Sequence, residues 1–182
     1  MQTNPYAPPQ SEVADLPETA IAAAPVFFAV SRTKLFVMSF CTLGLYELYW
    51  FYKNWQRVKQ RKYENITPLL RAIFPVFFCY SLFDRIRRYR SDLPSNELAA
   101  GPLATVWIIC SLTWRLPEPY FLLSYIAIFA LLPVQKAIND INEEEAPGHD
   151  PNARFSAWNW VAVVVGGLLA LMSIFGAFVA PR

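Results

Sequence analysis

Charge is scarce in this chain. Only 16% of its 182 residues are Asp, Glu, Lys or Arg, against about 25% in an ordinary soluble domain, too few to cover a water-facing surface. Histidine is scarcer still: His149 stands alone, so no His cluster and no Ser, His and acid set can be assembled for hydrolysis. A Gly-rich phosphate loop is also missing. Cys41, Cys79 and Cys110 are odd in number, lie in apolar runs and lack the close spacing of metal or redox motifs. They read as small membrane-core residues. Residues 2 to 31 hold Glu12, Asp15 and Glu18 but no Lys or Arg, which predicts no cleaved secretory leader. These shortages argue against an enzyme and imply no cofactor and no resident metal.

What the chain has instead is apolar length. Hydrophobic residues make up 55% of it, aromatic residues 16%, and its mean hydropathy is +0.26. The predicted fold is all-α, a polytopic bundle of membrane helices with three or four complete crossings. Pro5, Pro8, Pro9, Pro17 and Pro25 break residues 1–27 into a Pro/Ala-rich tail expected to be disordered. The membrane domain is expected to occupy 28–182. Pro25 to Val30 should be extended, with Ser31 as the N-cap of the following helix.

Five segments follow, near 35–52, 69–83, 98–114, 119–135 and 157–180. The first carries Glu47 as its only charge and is just long enough to cross a hydrocarbon core of about 30 Å. Tyr46, Tyr49, Trp50, Tyr52 and Trp55 would sit at its headgroup end. The second is short, is interrupted by Pro75 and is flanked by basic residues, which predicts a re-entrant or interfacial segment. The third and fourth are joined by Arg115 to Glu118 as an antiparallel hairpin. Beyond Pro133, Val134, Ala137, Ile138 and Ile141 recur at helical spacing, with Gln135, Asn139 and Asn142 on the polar side. These amides are expected to bond to adjacent loops. An acidic loop is expected from Glu143 to Pro151. The last segment, anchored by Trp158 and Trp160, carries a small-residue stripe of Ala162, Gly166, Ala170, Ser173 and Ala177, suited to close packing within the chain or to dimerisation.

Positive charge sets the orientation. With the first helix crossing and the second segment dipping in from the cytoplasm, twelve basic residues lie inside against four outside (Arg32, Lys34, Arg115 and Arg182). If the first helix also fails to cross, Arg32 and Lys34 move inside, and the count leaves the side of the N-terminus open.

The run Thr42, Leu43, Gly44, Leu45, Tyr46, then Tyr49 to Trp55, followed by Ile66, Thr67, Pro68 and Arg71, resembles a family of small bacterial inner-membrane proteins of unknown function. The opening Asn4 to Pro9 is similar to a short motif that precedes several such domains. This resemblance covers most of residues 28–180 and implies a multi-pass protein of the bacterial inner membrane. It implies no activity.

Three groups of residues could carry function. Glu47 is buried in an apolar helix at a cost of about 3 kcal/mol unless paired or protonated, and an intramembrane ion pair with Arg71 or Arg85 is favoured over a proton or ion path. Lys53, Arg57, Lys59, Arg61, Lys62, Arg87, Arg88 and Arg90 could contact anionic lipid headgroups, although such residues serve first as topology determinants. His149 and its acidic neighbours match no metal motif. No nucleic-acid-reading motif accompanies the basic charge. The expected function is therefore that of a non-enzymatic integral membrane protein acting by helix packing, lipid contact or association with an envelope partner or a second copy. The alternative is a small transporter or channel subunit centred on Glu47.

Overall fold

The computed structural model describes residues 24–62, 64–89 and 98–179, and all regular structure among them is helical. Ser31 caps the first helix, α1 (Arg32–Cys41), its Oγ accepting from the Lys34 N–H at 3.2 Å. The single helix expected over 35–52 is not formed. Leu43 at φ 54° and Gly44 at φ 85° take left-handed backbone conformations, which end a right-handed helix. The Gly44 N–H closes α1 by donating to the Ser39 carbonyl at 2.9 Å. Thr42 serves both sides of the break. Its hydroxyl donates to the Met38 carbonyl at 2.7 Å and accepts from the Tyr46 N–H at 2.9 Å. From this turn α2 (Leu45–Lys62) runs back beside the chain that led into α1, so that the Phe28 N–H reaches the Asn54 side chain in the middle of α2.

The stretch 69–83 falls in a second hairpin, broken just before Pro75. Helices α3 (Pro68–Ile73) and α4 (Pro75–Tyr89) meet at Phe74, where φ is −112° and ψ 55°. Pro75 lacks an N–H and crowds the residue before it, so the helix cannot run through. The return is closed by Arg85, late in α4, which donates to Glu64, ahead of α3, at 2.7 Å.

The third hairpin matches its expectation. Helix α5 (Ala100–Leu112) and the 3₁₀ turns Thr113–Arg115 and Tyr120–Ile126 lead into α6 (Ala127–Glu145), which packs on α5. The helix continues past Pro133, and Val134, Ala137, Ile138 and Ile141 are all buried. Glu143, Glu144 and Glu145 form its last turn rather than a loop.

All three tips lie at one end of the bundle. Gly44, Pro75 and Leu112, one from each hairpin, line a common cavity there. The final helix, α7 (Ala157–Val179), lies along α1 with its Gly166 against the Cys41 carbonyl, and a Cβ at Gly166 would collide with that oxygen. The stripe of Ala162, Gly166, Ala170, Ser173 and Ala177 is the covered face of α7, with Ala170 fully buried. At Gly166 it serves packing within the chain.

The core is aromatic. Trp50, Phe51 and Trp55 of α2 are fully buried, so Trp50 and Trp55 do not lie in a headgroup belt. They fall on the same stripe of α2 as Val58, the inward side of a helix packed on three neighbours. Phe51 stacks on Phe83 with ring centroids 6.5 Å apart and meets Trp107 edge-on at 4.9 Å. The outside of the tip half is also apolar, with Leu45, Phe77, Ile109 and Phe129 exposed. Two stretches among the described residues, Tyr120–Glu145 and Ala157–Val179, are long and apolar enough to cross a membrane. Only 6% of the apolar window of the second is buried, so it is not the core helix of a water-soluble fold, and its character points to membrane association.

Candidate functional site

Residues 24–30 carry no regular structure, yet Val26, Phe27, Phe28, Ala29 and Val30 are buried. Residues 24–27, expected to belong to the tail, thus lie in the body; the rest of that tail, residues 1–23, is outside the described residues. An irregular segment, bent at Val26 and Phe27, has backbone groups that need partners once buried. Side-chain amides supply them. Asn142 accepts from the Phe27 N–H at 3.0 Å and donates to the Phe27 carbonyl at 3.1 Å. Asn54 accepts from the Phe28 N–H at 3.1 Å, and Gln135 donates to the Phe28 carbonyl at 3.3 Å. Asn152 and Asn139 donate to the carbonyls of Ala29 and Val30. The cradle is cross-braced: Gln135 accepts from the Trp50 indole at 2.6 Å and donates to Asn139 at 2.7 Å. Gln135, Asn139 and Asn142 thus bond to an adjacent loop, as expected from their place on α6.

The loop before α7 joins the same construction through Lys34. This lysine is buried, and its Nζ donates to the Asn152 side chain at 2.8 Å and to the Arg154 carbonyl at 2.7 Å. Burial pulls its ammonium below the ordinary lysine range, an effect that Asp150 opposes.

The expected ion pair is not made. Glu47 is joined to neither Arg71 nor Arg85; its Oε2 accepts from the Trp107 indole N–H at 2.7 Å. Arg85 pairs with Glu64, and Arg71 lies over the Trp55 and Phe78 rings at 4.4 and 5.0 Å. The break at Gly44 explains this. Glu47 sits in the first turn of α2, near the hairpin tips, whereas Arg85 is at the opposite end of α4.

The basic residues gather at the end remote from the tips. Arg61 and Arg88 line a cleft of about 620 Å³ with Lys62, Arg85, Glu64 and Asp84. Much of this charge is compensated. Arg87 and Arg88 both bond to Asp84 at 2.7 Å, and Arg61 donates to the Ala24 carbonyl. The Arg87 hydrogen bond holds the Asp84 carboxyl below the usual range, and the Arg85 hydrogen bond does the same for Glu64. Lys53 bonds to Gln56 within α2, which also carries Arg57 and Lys59. Arg90 lies outside the described residues.

Glu47 and Trp107 line the cavity at the tips, about 610 Å³ in volume and otherwise walled by apolar and aromatic side chains with a few hydroxyls. Ser39 lines it too, and its buried Oγ has no hydrogen-bond partner among the described residues. No group of three or more His, Cys, Asp and Glu side chains suited to a metal ion occurs among the described residues.

Sequence reasoning missed Trp107, Ser39 and Asn54. Asn54 was within reach, since it falls on the stripe of α2 that carries Trp50, Val58 and Phe51 and so must be buried. Nothing local distinguishes Trp107 from other tryptophans. Comparison with protein-family models, with curated proteins and with solved structures finds no match for the chain.

Proposed function

We propose that this chain is a non-enzymatic integral protein of the bacterial inner membrane, belonging to the family its first helices resemble, and that it acts through lipid contact at the cytoplasmic leaflet. One observation carries the reading: large exposed apolar side chains crowd the tip half of the bundle and the whole of α7, from Leu43 and Phe77 to Leu168 and Phe178, while exposed lysines and arginines crowd the other end. A contiguous apolar surface of that extent requires lipid, and a basic end faces the anionic cytoplasmic leaflet. On this reading α1–α2 and α3–α4 are re-entrant hairpins, and α7, with its long apolar run, crosses. Arg32 and Lys34 then join the cytoplasmic group, which strengthens the charge asymmetry. The basic cleft rests against headgroups, contributing about 1 kcal/mol for each uncompensated cation near the surface.

Site-directed labelling tests the placement. With Cys41, Cys79 and Cys110 replaced by Ala, Arg32→Cys and Lys59→Cys should both react with a membrane-impermeant maleimide in inverted vesicles, and neither in intact spheroplasts. Labelling of the two from opposite faces would reinstate a crossing first helix and refute the hairpin reading.

A further inference from the structure

Among the described residues, the carboxylate at the hairpin tips has no ionic partner. Among the described residues that line its cavity there is no Lys, Arg or His. Its Oε2 is held by Trp107, and no hydrogen bond to Oε1 is formed among the described residues. Ser39 also lines this space, with its Oγ buried and without a hydrogen-bond partner among the described residues. A largely buried carboxylate with no basic residue among the described residues that line the same open volume is unusual, because it costs free energy that a cationic ligand would recover. The walls narrow the chemistry. Phe40, Trp107, Trp114, Phe121 and Tyr125 surround the opening, and aromatic faces attract cations as well as hydrocarbon. An anionic ligand would meet Glu47 with no compensating base, and a purely apolar one would leave Glu47 without a counter-charge.

We propose that this cavity binds an organic cation with an apolar body, Glu47 supplying the counter-charge and the aromatic walls the surface for the hydrocarbon. The volume of about 610 Å³ is within the range of small-molecule sites. The membrane placement proposed above bears only on the route of access; the site itself is testable in detergent.

The probe is tetraphenylphosphonium, measured by equilibrium dialysis against the full chain in dodecylmaltoside micelles, with empty micelles as the blank. The wild-type protein should show one saturable site per chain. Glu47→Gln keeps an acceptor for Trp107 and removes the charge, and it should weaken binding by about tenfold or more. Ser111→Phe, which fills the cavity from α5 without touching the carboxylate, should abolish saturable binding. Neutral triphenylmethane should not compete. Equal affinity in wild type and Glu47→Gln, effective competition by triphenylmethane, or no saturation above the blank would each overturn the proposal. Should Glu47→Gln fail to fold, the competition by the neutral compound and Ser111→Phe still decide it.

Discussion

Replacing Asn142 by Leu should release the buried segment that precedes α1. The Asn142 side chain is fully buried and makes both backbone hydrogen bonds of Phe27, at 3.0 and 3.1 Å. Leucine is close to asparagine in size, so little cavity forms, but both polar groups of Phe27 lose their partners. Each buried orphan costs about 1–3 kcal/mol, and the pair about 2–6 kcal/mol, a large part of the roughly 5–15 kcal/mol that holds a typical domain together. Hydrogen exchange by mass spectrometry on the detergent-solubilised protein reads this locally. A loss near 3 kcal/mol raises the open population of the segment about 100-fold, and amide exchange across Phe27 to Val30 by the same factor. Asn139→Leu, which orphans the Val30 carbonyl and removes one acceptor of the Gln135 amide, should act in the same direction. Unchanged exchange over 27–30 in Asn142→Leu would show that the amide cradle does not hold the segment.

Three further outcomes follow from the geometry. Gly166→Ala should lower the melting temperature by forcing α7 away from the Cys41 carbonyl, whereas Gly176→Ala, whose Cβ would meet nothing within 4 Å, should be neutral or stabilising by up to about 1 kcal/mol; parallel thermal melts distinguish the two. Gly44→Ala meets no neighbour either, so any loss is the backbone cost of a left-handed residue, about 1–2 kcal/mol, visible in the same melts. The Arg85 hydrogen bond lowers the Glu64 carboxyl from its ordinary value of 4.5. A depressed folded value means that the pair contributes fully above about pH 4.5 and loses its contribution as pH falls through the lower, folded value. The stability gap between wild type and Glu64→Gln, followed by melts from pH 7 downward, should therefore close at acid pH; a gap independent of pH would remove the ion pair from the account.

Much of the fold was legible because helix-forming patterns are local. The long apolar run of α7, the cap at Ser31, the interruption at Pro75 and the amphipathic continuation of α6 past Pro133 each depend on neighbouring residues, and each is where the pattern places it. The run 35–52 was misjudged because its hydropathy is continuous across Thr42 to Gly44 and only the backbone signs of Leu43 and Gly44 reveal the turn. That one break moved Glu47 away from Arg85, so the predicted pair failed with it. The buried segment 26–30 was half legible: its lack of helix follows from Pro25 and the apolar run, whereas the bends at Val26 and Phe27 replace the extended course expected there, and its partners lie on α2, on α6 and in the loop before α7.

The sequence by itself determined the helical character of the elements and the apolar length of the last of them, since both follow from composition and from periodicities only a few residues long. Tertiary structure alone decided that three pairs of elements fold back toward one end, that amides distant along the chain clasp a segment ahead of α1, and that Glu47 faces a cavity with an indole as its neighbour. These are pairings between remote segments, and the free energy that selects them depends on which groups can be satisfied together in three dimensions, a property that no local window of residues contains.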